Sequence, residues 1–109
     1  MELRPLDSCS TCPVEFAMNM ISGKWKLLIL YNLMTDGTVR FNELQRRLDT
    51  VTHRTLTRQL RELESDELIN RTIYAEVPPR VEYSLTDKGK SLTSILLSLQ
   101  NWGLEHMVE

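Results

Sequence analysis

The strongest constraint on this chain is a pair of short amphipathic segments set only a few residues apart. Phe41, Leu44 and Leu48 recur at helical spacing and stop near Asp49. Thr50 and Val51 make a short connection. Thr52 is a good N-cap for a second helix, running to about Ser65 with Leu56, Leu60 and Leu63 inward. Two short helices so closely joined form a helix-turn-helix.

The flanking segments complete a larger pattern. Residues 68–77 are rich in β-formers, Pro78-Pro79 follows, and Val81 to Leu85 resumes an extended pattern. Two strands with a proline-containing tip are expected. Thr86 then caps a last helix with Leu92, Ile95, Leu96, Leu99 and Gly103 on one face, while Leu97, Leu104 and Val108 add apolar surface elsewhere. Upstream, Cys12-Pro13 reads as an N-cap and a first-turn proline. Val14, Ala17, Met18 and Ile21 continue that helix, which Ser22-Gly23 ends. Lys24 to Met34 is apolar on nearly every side, so this helix is expected to be buried. In so small a domain, that implies a second subunit covering part of it. Thr38 to Arg40 reads as a short strand. The expected fold class is α+β, mainly α: a winged helix-turn-helix with additional N- and C-terminal helices. Residues 1–11 are expected to be a flexible arm, and 12–109 a single domain.

Charge first points away from nucleic acid. The 109 residues carry 13 Lys+Arg against 15 Asp+Glu, a net −2. The distribution reverses that inference. Residues 40–61 hold Arg40, Arg46, Arg47, Arg54, Arg58 and Arg61 against Glu43 and Asp49, a net +4, which leaves −6 for the rest. The basic block coincides with the helix-turn-helix. Arg54, Arg58 and Arg61 fall opposite the leucine stripe, so the second helix suits entry into the DNA major groove. Groove contacts come mostly from the N-terminal part of such a helix. The candidate DNA-binding residues are therefore Thr52, His53, Arg54, Thr55 and Arg58, with Arg80 at the hairpin tip reaching a neighbouring minor groove. Arg61 is expected at a phosphate or in an intramolecular ion pair. The competing reading is a solvated face whose arginines interact with Glu62 and Glu64.

Other classes find little support. Asp49, Glu62 and Glu64 show no acid–base arrangement. There is no nucleophile–base set or phosphate-binding glycine loop, so an enzyme is not expected. A winged-helix protein–protein interaction module without DNA binding is the alternative. No apolar run reaches the roughly 18 residues of a membrane span, and Met1 to Pro5 does not open a secretory signal. A cytoplasmic location with reduced thiols is the expectation. Cys9 and Cys12 form Cys-x-x-Cys, but only His53 and His106 could add imidazole ligands, and neither lies nearby in sequence. No zinc site, other metal or cofactor is expected.

These pieces together resemble the HxlR-type winged-helix transcriptional regulators, relatives of the MarR group. The resemblance spans Cys12 to about Trp102. It rests on Cys12-Pro13, Gly23-Lys24-Trp25, Arg40-Phe41-Asn42-Glu43-Leu44, residues 56–63 (Leu-Thr-Arg-Gln-Leu-Arg-Glu-Leu), residues 78–86 (Pro-Pro-Arg-Val-Glu-Tyr-Ser-Leu-Thr) and Trp102-Gly103. It implies a bacterial-type regulator, mostly repressing, that forms a homodimer through its first and last helices and binds a pseudo-palindromic operator. The family often has glycine where this chain has Thr50 and Glu67, which puts the local caps in question. In several members the cysteine matching Cys12 senses oxidants or electrophiles. Cys12 is thus a redox-sensing candidate, with Cys9 as a candidate resolving thiol. The positive end of a helix dipole favours a thiolate at that position, and Glu15 opposes the effect.

Overall fold

A computed structural model describes residues 12–107. The expected arm over residues 1–11, with Cys9, and Val108 lie outside the described residues. The chain order is α1 (Pro13–Ile21), α2 (Lys26–Asp36), β1 (Thr38–Arg40), α3 (Phe41–Leu48), α4 (His53–Ser65), β2 (Ile69–Tyr74), β3 (Arg80–Leu85), α5 (Asp87–Lys90) and α6 (Thr93–His106). The three strands form one antiparallel sheet in the order β1-β3-β2. Val39 sits opposite Tyr83, and Arg71 opposite Tyr83 on the other side.

The leucine stripes predicted for α3 and α4 face inward. Leu44, Leu48, Leu56, Leu60 and Leu63 are all buried, and they meet Ile29, Leu30 and Leu33 of α2 in one core. Val51 anchors the turn between α3 and α4 in this core. The positive φ in that turn falls on Asp49 (φ 50°), not on Thr50. Asp tolerates this region better than a β-branched residue does.

Glu67 accepts the strain that its sequence context put in question. Its φ is 61°. The Leu68 N–H donates to the Leu63 carbonyl (3.0 Å), and the Glu67 N–H donates to the Glu64 carbonyl (2.9 Å). This is a Schellman cap with a non-glycine residue at its left-handed position, and buried Leu63 and Leu68 supply its usual apolar contact.

Three sequence expectations change. Helix α2 begins at Lys26, not Lys24: Lys24 and Trp25 form a turn after Gly23, whose φ is 101°. It is buried on one face only: Leu28 stays exposed. The single helix expected after Thr86 is two. Thr86 accepts a hydrogen bond from Gly89 N–H (3.0 Å) and caps the four-residue α5. Ser91 and Leu92, both with right-handed helical dihedrals, link α5 to α6.

Helices α1 and α6 contribute little to this core. Helix α1 has no buried residue and α6 only Leu96. Val14, Phe16 and Met18 on α1 and Ile95, Leu99, Trp102 and Leu104 on α6 are exposed. Among the described residues, no helix is long and apolar enough to cross a membrane.

Candidate nucleic-acid interface

The N-terminus of α4 is built by Thr52. Its backbone is extended, and its hydroxyl oxygen accepts the Thr55 N–H at 3.1 Å, closing the first turn. One turn further on, the Thr57 hydroxyl donates to the His53 carbonyl (2.8 Å). With Leu56, Leu60 and Leu63 locked in the core, the opposite face must point outward. That face presents His53, Arg54, Thr57, Arg58 and Arg61 along a shallow surface groove. His53 also lies against Phe41, with ring centroids 4.9 Å apart.

Ion pairing separates the basic residues into two groups. Arg46 and Arg47 pair with Glu43, Arg47 also with Asp36, and Arg40 approaches Glu82. Hydrogen bonds from Arg47 and Arg46 hold the Glu43 carboxyl below its ordinary range. By contrast, among the described residues no carboxylate comes within ion-pair distance of Arg54, Arg58 or Arg61. The two acidic residues of α4 are engaged elsewhere. Glu62 pairs with Lys26 at 2.8 Å, and Glu64 with Arg71 at 3.5 Å. The competing reading pairs these carboxylates with the arginine face; their ion pairs go to other elements, although Glu62 still borders the arginine groove.

The hairpin β2–β3 stands beside α4. A cleft of about 510 Å³ separates its tip from the start of α4; Arg40, Asn42, His53, Arg71, Pro79 and Arg80 are among its walls. Arg80 is held at the base of the tip. It lies 3.2 Å from both Glu76 and Glu82, and its guanidinium sits 4.1 Å from the centroid of the Tyr74 ring, its cross-strand partner. A minor-groove contact by Arg80 would compete with these partners. The structure thus brings Thr52, His53, Arg54, Thr55 and Arg58 together at one end of one helix, and Arg80 onto a separate element across the cleft.

Cys12 stands far along the sequence from this face. It is the N-cap residue of α1, half-buried and without a side-chain capping bond, and its carbonyl accepts the Phe16 N–H at 2.8 Å. Among the described residues, no His/Cys/Asp/Glu group is arranged to hold a metal ion.

Sequence reasoning missed Lys26 and Arg71. A signal for Lys26 was present: Lys26, Ile29, Leu30 and Leu33 share helical spacing, which puts a lysine on the buried stripe. Arg71 is legible only once the hairpin register is known.

Residues 20–109 match the HxlR-like helix-turn-helix family. The chain belongs to this family. It is a helix-turn-helix transcriptional regulator with a DNA-binding fold, and the family and its relatives are regulators rather than enzymes. It is 60% identical over 92 residues to an uncharacterised HTH-type transcriptional regulator of Methanothermobacter thermautotrophicus, covering 84% of this chain and 70% of that one. Its fold is similar to the redox regulator HypR in its oxidised form: TM-score 0.84, 47% identity, 90% of this chain and all of that one. It also resembles the reduced form of the transcriptional regulator YodB from B. subtilis: TM-score 0.74, 33% identity, covering 88% of this chain and 94% of that one.

Proposed function

We propose that residues 12–109 act as one winged-helix domain of a homodimeric, sequence-specific DNA-binding repressor. Helix α4 enters the major groove, with Thr52, His53, Arg54, Thr55 and Arg58 at the DNA and Arg80 on the wing at the neighbouring minor groove. The observation that carries this reading is the set of three arginines on α4 without carboxylate partners among the described residues, beside ion-paired arginines elsewhere. Unpaired guanidiniums on a protruding helix are available to phosphates and to guanine edges. The exposed apolar faces of α1 and α6 support the homodimer, and a two-fold dimer reads a pseudo-palindromic operator. A cytoplasmic location is part of this proposal and is consistent with a bacterial-type regulator acting on chromosomal DNA. The test is selection of duplexes from a random-sequence library with the whole protein. The expected result is a two-fold symmetric site with half-site centres about one helical turn apart, bound with steeply salt-dependent affinity. Recovery of no preferred sequence, with a stable hetero-complex instead, would favour the interaction module.

A second reading concerns the effector. We infer that an oxidant or electrophile acts through Cys12, with Cys9 as its resolving thiol. Support comes from the similarity to HypR, solved as a redox regulator in its oxidised form, and from the free Cys12 thiol at the start of α1. Affinity for the selected duplex is to be compared before and after a stoichiometric thiol oxidant, in wild type, Cys12→Ser and Cys9→Ser. An unchanged wild type rejects thiol control for that oxidant.

A further inference from the structure

Among the described residues, Lys26 is the buried charged one, only 6% exposed, and it lies on the inner stripe of α2. Its ammonium reaches out to Glu62 of α4 at 2.8 Å, where the carboxylate is half open to solvent. The neighbouring Gly23 turn also lies against α4: a Cβ at Gly23 would stand 3.9 Å from Gln59 Oε1. The start of α2 is thus seated on the flank of the recognition helix.

Glu62 has a second cation within its field. Arg58 stands one turn before it on α4, and the two positions share a helix face. The Lys26 hydrogen bond is the main cause of the lowered Glu62 carboxyl, and the Arg58 charge adds a smaller pull in the same direction. Yet Arg58 makes no ion pair among the described residues. A carboxylate under the influence of two cations pairs with the buried one. The choice is physical: an unpaired ammonium inside a core is costly, whereas an exposed guanidinium is satisfied by water.

We propose that Lys26 is a positioning residue for DNA recognition: by holding the Glu62 carboxylate against α2, it keeps that carboxylate off Arg58 and leaves Arg58 free for DNA. This rests on the reading that Arg58 touches DNA. Without the Lys26 ammonium, Glu62 turns to the one cation left in reach, and Arg58 must break an i,i+4 ion pair before it can meet a phosphate or a base.

The test uses the full-length protein and one duplex selected by the wild type, with affinity measured over a salt series below every variant's melting temperature. Lys26→Met is expected to weaken binding about two- to fivefold, the range of an exposed ion pair. The double variant Lys26→Met/Glu62→Gln should return to wild-type affinity, and Lys26→Arg should retain it. If Lys26 were only a structural tie between α2 and α4, the double variant would stay as weak as Lys26→Met, and the proposal would fall. Unchanged binding by Lys26→Met overturns it too. On an Arg58→Ala background, Lys26→Met should add nothing. If Arg58→Ala is weak and Lys26→Met still adds its full loss, Arg58 contacts DNA but Lys26 does not guard it. If Arg58→Ala binds like wild type, the DNA reading of Arg58 fails and this inference fails with it. Should Lys26→Met not fold, Glu62→Gln alone decides: affinity equal to or above wild type supports the proposal, and a loss rejects it.

Discussion

Two residues show how local backbone geometry sets stability in opposite directions. Glu67 occupies the left-handed position of the α4 cap with φ 61°, where a side chain is strained. Glu67→Gly should therefore stabilise the protein by about 1 kcal/mol, seen as a melting temperature several degrees higher. Gly89 is the converse. A Cβ there would stand 2.1 Å from the Leu68 carbonyl oxygen, with backbone on the other side of the clash. Gly89→Ala should destabilise by about 3 kcal/mol, measured by denaturant unfolding, because neither the buried Leu68 segment nor the start of α5 can yield without repacking. At the interface, Arg58→Ala should cost roughly 1–3 kcal/mol of specific binding if Arg58 reads a base. The same substitution should flatten the salt dependence if it meets a phosphate instead. Operator titration across salt separates these outcomes.

At the scale of elements, the helix-turn-helix is tied to its neighbours by carboxylates. Glu43 of α3 accepts from Arg46 and Arg47, and Arg47 bridges back to Asp36 at the end of α2. Glu62 makes the corresponding link from α4 to the start of α2. Both carboxyls are held below their ordinary value of 4.5. A lowered carboxyl stabilises the fold above its unfolded pKa, and that stability is lost as pH falls through the folded one. Thermal stability should therefore be level above about pH 5 and decline on acidification below 4.5. Glu43→Gln should blunt the decline, as thermal melts across pH would show. The wing illustrates the limit of sequence reading at this scale. Pro78-Pro79 marked its tip, but the Tyr74–Arg80 pairing that ties Arg80 to its own hairpin depends on register, which no periodicity states.

For the whole molecule, the unsatisfied features are the outer helices. Helix α6 is apolar on more faces than one core can cover, and Trp102 remains 64% exposed. If the proposed homodimer forms through α6, Leu99→Glu and Trp102→Glu should convert it to monomers in sedimentation and weaken binding to a two-fold site far more than to a half-site. Both variants should keep the fold, because neither side chain belongs to the buried core. Charge also acts at this scale. The net −2 of the chain hides a basic helix, and ion pairing narrows that basic surface further, from the block at residues 40–61 to the outward face of α4. The acidic remainder opposes non-specific approach in other orientations.

The sequence by itself determined the helix-turn-helix, the hairpin and the α4 leucine stripe, because these follow from spacing along one element. The Thr52 cap and the arginine face were legible for the same reason. Only the tertiary structure decided which charges remain available. Lys26 and Arg71 reach α4 from a distant helix and a strand, so the occupation of Glu62 and Glu64 could not be read from α4 alone. The break between α5 and α6 was hidden as well. Near it, Gly89 of α5 lies so close to the Leu68 backbone, some twenty residues earlier in the chain, that a side chain there has no room. Local periodicity carries the elements, whereas pairing across elements needs their relative placement, and that placement is set by the shared core.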